Sequence, residues 1–412
     1  MSISSKDLNT LRALAGQYTE IANQEVMKER LQRYYSTNSL EIVRPVVLIN
    51  EVPWGEIDDE MLKPTCAPEL RGIEFRLRTT IYQNKHFPVD MVVPTIFNIG
   101  KKSKTTGIGL KVHDDQIKSD SGTNISSHAY EDMLKTEDDL NKLVIPEISY
   151  DEESTLSLLS LAKEIFSGLM PVKLSGGYPS YNIWDVVSRY RGVEPILLDL
   201  ALRPEFMHQT AEKFCDIAES IFTQSEELGL YDNENLNIHC TVGSTHDLPE
   251  LESGSKVKRK HTWGRCAAQI FGEVSPNMHD EFDLPYNQKL FGDSGLLYYG
   301  CCEPLDRKID ILGKRFPNLR KVSITPWADP DNAAKNIGSK YVMAAKNNPV
   351  YVSGKVFNAD LVKEEMSQYC RASIENKTPL EFVLKDISTI ANKPEHLIEW
   401  AKCTSRVIDK FY

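Results

Sequence analysis

From about Leu156 onward, short apolar runs alternate with longer segments whose apolar residues recur every three or four positions. LSLLSLAKEIF reads as helix, PVKLSG (Pro171 to Gly176) as strand, and WDVVSRYRG and EPILLDLAL as helices. PEFMHQTAEKFCDIAESIFTQSEELG reads as a long helix closed at Gly229. NLNIHCTVG (Asn235 to Gly243) reads as a strand. SPNMHDEFDLPYNQKLFGD reads as one helix, with Ser275 as N-cap and Pro276 in the first helical position. The pattern continues with LLYYGCC (strand), EPLDRKIDILGKRF (helix), LRKVSIT (strand) and DPDNAAKNIG (a short helix closed by Gly338). PVYVSG (strand), VKEEMSQYCRASIEN (helix), EFVLKDIS (strand) and PEHLIEWAKCTSRVI (helix) complete it.

Upstream, Leu8, Leu11, Leu14, Ile21, Val26 and Leu31 mark helix from about Ser5 to Tyr35, and PVVLIN (Pro45 to Asn50) is a buried strand. Residues from about 100 to 150 are polar, with KKSKTTG and KSDSGTNISS as loop-like stretches, and read as an insertion or lid. The expected organisation is a helical extension over residues 1–40 followed by a single unit over 41–412. Strand and helix in regular alternation predict a parallel sheet with helical crossovers. About eight strands, none followed by a glycine-rich phosphate loop, predict a closed (β/α)8 TIM barrel with its reactive residues just beyond the strand ends.

The 412 residues are 41% hydrophobic and 26% charged, as expected of a globular chain. No apolar run is long enough to cross a bilayer and the first residues carry no apolar signal stretch, so no membrane association and a cytoplasmic location are expected. A formal net charge of -11 argues against nucleic acid as a partner. The basic run Lys256 to His261 reads as a solvated loop. Eight cysteines are too sparse for a disulfide scaffold. Six stand singly and read as small core residues.

Cys301 and Cys302 are adjacent at a strand end, with Glu303 after them. If the strand's alternation persists, one faces the mouth and the other the packing layer. A thiolate at the mouth could ligate zinc or act as a nucleophile, while two buried cysteines in a tight turn is the plain alternative. His239 and Cys240 end another strand. With Glu273 they would complete a zinc set, although a hydrogen-bonded structural histidine fits His239 equally. Trp263, Gln269 and Glu273 fall in one segment, and Trp327 and Asp329 in another. Aromatics with a few polar groups suit an apolar small molecule, and also suit ordinary core packing. Glu273, Glu303 and Asp329 are the candidate acid catalysts. Trp263, Gln269, Trp327 and Tyr299 are the candidate substrate contacts. His239, Glu273, Cys301 and Cys302 are the candidate metal ligands.

Three longer stretches resemble one family. RYRGVEPILLDLALRPEFMHQ (Arg189 to Gln209) resembles the R-G-x-E-x-L-L-L-D-L-A-x-x-P-E stretch of the uroporphyrinogen decarboxylase-like superfamily. WGRCAAQIFGEVSPNMHDEFDLPYNQKLF (Trp263 to Phe291) resembles its W-G-x-Q segment and the I-S-P-E-M-F-x-E-F-x-x-P-Y that follows. DISTIANKPEHLIEWAK (Asp386 to Lys402) resembles its last strand and helix. The likeness spans roughly residues 160 to 405. It implies a (β/α)8 barrel and, in the corrinoid-dependent branch, a methyltransferase of O-demethylation type. Such an enzyme moves a methyl group from a small methylated substrate, such as a methoxylated aromatic, to the cobalt of a corrinoid (cobalamin) protein with zinc assistance. The implied partners are that corrinoid protein and the small substrate, with a homodimer left open.

The departures are specific. YGCCEPLDRKID stands where these methyltransferases carry H-x-C-G, with Tyr299 or Gly300 in place of the histidine. The late cysteine ligand falls near Asp386, which leaves Glu273, His239 and Asp386 as substitute ligands. Pro53-Trp54-Gly55-Glu56 lacks the arginines that follow P-W in true decarboxylases, which disfavours a uroporphyrinogen-type decarboxylase. A non-catalytic corrinoid or tetrapyrrole binder remains the alternative of another class.

Overall fold

The structure is a computed structural model and describes residues 3–118 and 126–412. Most of the KSDSGTNISS stretch therefore lies outside the described residues.

Two helices, Ser5–Ala22 and Glu25–Asn38, replace the single N-terminal helix expected. The first ends at Asn23, and Gln24 takes extended backbone (φ -66, ψ 139), which interrupts the helix before the second begins. Eight strands are labelled here in chain order: β1 (Val46–Ile49), β2 (Phe97–Gly100), β3 (Val172–Ser175), β4 (Trp263–Cys266), β5 (Leu296–Tyr299), β6 (Leu319–Ile324), β7 (Val342–Asn347) and β8 (Leu380–Leu384). Six of them make one parallel sheet in the order β1-β8-β7-β6-β5-β4. β2 and β3 form a separate parallel pair.

A closed barrel was expected, but the continuous ladder stops at six strands, with β1 and β4 as its edges. The reason is local. After β3, ladder pairing with the neighbours shrinks to the isolated bridges Gly177–Tyr231 and Ser180–Arg265 among the described residues. The segment expected as a strand at Asn235 to Gly243 turns back on itself as a hairpin, Asn237–Ile238 against Thr241–Val242. His239 adopts a left-handed backbone (φ 53) at that turn, which no strand can contain. Side-chain bonds close the gap instead. Asn50 Nδ2 donates to the Cys240 carbonyl at 2.7 Å, and the Trp263 indole N–H donates to the Gly243 carbonyl at 2.8 Å.

PVYVSG is likewise not a strand. Val350–Ser353 is a short helix, with the Val350 N–H bonded to Asn348 Oδ1 at 3.1 Å. The strand in this region is β7, just upstream. The expected SPNM helix is two, Pro276–Phe282 and Leu284–Phe291, and the Ser275 cap accepts from the Met278 N–H at 3.2 Å. In the polar insertion, Ser103–Thr105 pairs with Ile148–Tyr150 and Asp114–Lys118 with Ser126–Tyr130, both antiparallel. Among the described residues no helix is long and apolar enough to cross a membrane.

Alternation along the strands sorts two layers. Leu297, Tyr299, Val322, Ile324, Met343, Ala345, Phe382 and Leu384 share the main apolar core with Met366, Leu397 and Trp400 of the covering helices. The opposite face carries Trp263, Leu296, Tyr298 and Ala344 as a small cluster. That face also carries Val46, Leu48, Val342 and Val383, and among them the polar residues Arg265, Lys321, Ser323, Lys346 and Glu381, all buried. Such interiors are ordinarily filled by branched apolar residues. Here Lys321 Nζ lies 3.0 Å from Glu381 with both side chains fully buried, and donates to the Val242 carbonyl at 2.7 Å.

Candidate active site

The C-terminal ends of the sheet strands converge on Cys301. β5 ends at Tyr299, and Gly300 then takes φ 102, a conformation that favours glycine. A Cβ added there would stand 2.6 Å from Leu305 Cδ1 and 3.1 Å from Ser323 Cβ. This turn releases the chain from strand geometry. The expectation that Cys301 and Cys302 point to opposite layers therefore does not hold: their Sγ atoms are 3.6 Å apart. Both line a half-open cavity of about 240 Å³ with Thr325, Pro326, Trp327, Lys346, Lys385 and Asp386.

Several groups fix Cys301. Ser323 Oγ donates to its carbonyl at 2.8 Å. Glu303 accepts from the Cys301 N–H through one carboxylate oxygen and from the Ala268 N–H through the other, both at 3.0 Å, so one buried carboxylate ties the ends of β4 and β5 together. Burial pushes the Glu303 carboxyl up to about 7. The thiol meets His239 Nε2 at 3.6 Å and Lys385 Nζ at 3.6 Å. The Cys302 thiol beside it, then His239, with the charges of Lys385 and Arg265 behind them, outweigh burial and hold Cys301 well below the usual thiol range. Cys302 moves the other way, raised by its bond to Cys301, by burial and by the charges of Cys301 and Asp386. Of the adjacent pair, Cys301 is the one whose thiolate form the surroundings favour.

Cys302 Sγ also lies 3.5 Å from Asp386 Oδ2, and Lys385 Nζ lies 3.2 Å from the same carboxylate oxygen. The Asp386 N–H donates to Glu51 at 3.0 Å, joining the ends of β8 and β1. The charged form of His239 is favoured by hydrogen bonding to Cys240 and Cys301 over the opposing effect of burial. For the Cys240 thiol, burial alone would raise the titration, but Lys346, His239 and Lys385 bring it down to about 7. Glu51, His239 and Asp386 all have positive φ (55, 53 and 54), so three non-glycine residues bend the chain in the left-handed region around one mouth.

The structure thus brings Cys301, Cys302 and His239 together, with Asp386 beside them and Trp327, 70% exposed, on the cavity wall. Other residues singled out from the sequence lie elsewhere. Trp263 is buried in the interior and Tyr299 is buried on the outer face, where it bonds His279 at 2.7 Å and Asp283 at 2.6 Å. Gln269 is held by Asp185 through both its backbone and side-chain N–H groups at 2.9 Å. Asp329 caps the helix Pro330–Ile337. Glu273 is exposed and its charge acts on Lys308; the carboxylate bound to the Cys301 backbone is Glu303. Sequence reasoning passed over Arg265, Lys346 and Lys385. The legible signal was a basic residue at the last inward position of a strand rich in apolar residues, as in VMAAKN and LEFVLK.

No family model matches the chain, and no curated protein matches it. Among solved structures, a methyltransferase from Methanosarcina mazei aligns with 93% of this chain and 99% of its own length, at 12% identity and a TM-score of 0.48. At that identity and score the alignment bears on neither the reaction nor the residues.

Proposed function

We propose that the protein is a methyltransferase that takes a methyl group from a small methylated substrate, an aryl methyl ether first among candidates, at the Cys301 mouth and delivers it to the cobalt of a corrinoid protein. One observation carries the proposal: Cys301, held toward its thiolate by Cys302 first and then by His239, Lys385 and Arg265, faces a small cavity at the strand ends. A thiolate is a soft nucleophile suited to a saturated carbon. Its sulfur lone pair meets the methyl carbon, the methyl–oxygen bond breaks, and the leaving oxygen takes a proton from the protonated His239; transfer of the methyl to the acceptor would then break the sulfur–methyl bond, its electron pair returning to Cys301 as the thiolate. Trp327 offers the apolar wall an aromatic ring would need. The corrinoid acceptor comes from the resemblance of Arg189 to Gln209 and Trp263 to Phe291 to that family. In the same reading the eight labelled strands are a (β/α)8 barrel whose wall is interrupted between β4 and β1.

Zinc is the group this resemblance would add. Cys301, Cys302, His239 and Asp386 have neighbouring donor atoms 3.5 to 3.6 Å apart. That is near the edge of a tetrahedron with zinc bonds of about 2.0–2.3 Å. The donors meet pairwise in a row, however, and among the described residues no group of three or more is arranged to hold a metal. The Lys385 ammonium also stands against Cys301. As arranged, these residues do not fit a zinc site, and no step is routed through one.

The test supplies chemically reduced Co(I) cobalamin with guaiacol, 3-methoxybenzoate or methanol and measures methylcobalamin by chromatography and mass spectrometry. Wild type should form it from at least one donor and Cys301→Ala should not. Absence of methylcobalamin with every donor, or full activity in Cys301→Ala, overturns the proposal.

A further inference from the structure

Three lysines, Lys321, Lys346 and Lys385, lie buried on the inner side of the sheet. Two are satisfied: Lys321 by Glu381 and the Val242 carbonyl, and Lys385 by Asp386 and Cys301. Lys346 is not. It is 3% exposed, its Nζ has no hydrogen-bond partner, and it stands over the Tyr298 ring, 5.6 Å from the centroid. A buried ammonium with no acceptor is costly, and native structures rarely keep one without a partner to receive its protons. Lys346 also lines the 240 Å³ cavity that exposes Cys301.

We infer that Lys346 is the anchor of an anion subsite, and that the substrate worked on at Cys301 carries a carboxylate that pairs with Lys346 Nζ. Besides Cys301, the charged side chains lining the cavity are Lys346, Lys385 and Asp386. Asp386 and Cys301 already share Lys385, which leaves the charge of Lys346 for a ligand. Thr325, buried on the same wall, adds a hydroxyl. One ammonium and one hydroxyl match a carboxylate better than a phosphate, which is usually met by several N–H groups or a guanidinium fork. The cavity is smaller than the roughly 300–1,000 Å³ of drug-sized ligand sites, so the acid is small. The rival occupation of Lys346 is stabilising the Cys240 thiolate, on which its charge also acts.

This inference rests on the reading of Cys301 as the reacting group and names its substrate's charge, but its test uses no methyl transfer. Cys301 is alkylated with iodoacetate, an anion, and with iodoacetamide, its neutral analogue, and the modified peptide is identified by mass spectrometry. Relative to glutathione, wild-type Cys301 should favour iodoacetate over iodoacetamide at least tenfold. Lys346→Met should abolish that preference while changing the iodoacetamide rate less than threefold, and Lys346→Arg should retain it. A wild-type ratio equal to that of glutathione, or an equal fall of both rates in Lys346→Met, overturns the subsite in favour of a lysine satisfied by water or by Cys240. Should Lys346→Met fail to fold, protection of wild-type Cys301 from iodoacetamide decides. Benzoate should protect and benzamide should not; equal protection, or none by either, refutes the inference.

Discussion

Replacing Lys385 by methionine removes the cation in contact with Cys301 and keeps much of its aliphatic bulk. At the 3.6 Å separation, with an effective dielectric of about 20, the lost attraction is about 4–5 kcal/mol, roughly three pH units of thiol titration. Two effects modify this figure. The half-open cavity admits solvent, and His239 and Arg265 remain beside the sulfur, so the realised change is smaller. Asp386 loses its partner and repels the thiolate, which acts in the same direction as the loss of Lys385. An upward shift of about one to three units in the midpoint of Cys301 reactivity is therefore expected. The assay is the rate of iodoacetamide alkylation at Cys301 as a function of pH. Lys385→Arg, which keeps the charge, should leave the midpoint near that of wild type. A folded Lys385→Met protein whose midpoint moves by less than about 0.3 unit would refute the electrostatic account of this thiolate.

Further consequences concern stability. Glu381→Gln strands the Lys321 charge in the interior and should cost about 3–5 kcal/mol in urea unfolding, whereas Lys321→Met with Glu381→Leu should recover most of it. The Glu303 and Asp185 carboxyls, pushed up by burial to about 7 and about 6, keep protons in the fold that the unfolded chain releases above its ordinary carboxylate values. Stability should accordingly fall as pH rises from about 4.5 to 7, and urea midpoints at pH 5 and 7.5 should converge in Glu303→Gln. Gly300→Ala forces a Cβ onto Leu305 and Ser323 at positive φ; a loss of about 1–3 kcal/mol is expected, together with slower Cys301 alkylation.

Much of the parallel α/β architecture was legible because β1 and β5 are apolar runs, β3, β6 and β8 keep apolar residues between polar breaks, and the outer helices repeat apolar residues at helical spacing. β4 and β7 were not: β4 is only four residues, WGRC, and β7, VMAAKN, lies directly before the PVYVSG segment that reads as the strand of that region. An inward charge alone did not hide a strand, since β6 and β8 carry Lys321 and Glu381 on the same face and were still legible. Cys301, Cys302 and His239 could be singled out because such residues at strand ends carry chemistry on this kind of scaffold, and the structure brings them together. Glu303 and Glu273 could not be ranked, since the choice turns on which carboxylate folds back onto the Cys301 amide. The hairpin at His239 was unreadable for a similar reason: its sequence is strand-like, and only its side-chain bonds to the strand ends make the left-handed turn tolerable.

The left-handed turns at Glu51, His239 and Asp386 also bear on how this chain can evolve. Each holds a side-chain-bearing residue where glycine would be relaxed, at a cost of about 1 kcal/mol or more. Glycine would relax each turn, but Asp386→Gly would leave the buried Lys385 ammonium without its carboxylate and Glu51→Gly would leave the Asp386 N–H without its acceptor. The backbone strain and the side-chain bonds are therefore held together, and a lineage that relaxed one turn alone would lose more stability at the mouth than it gained in the backbone.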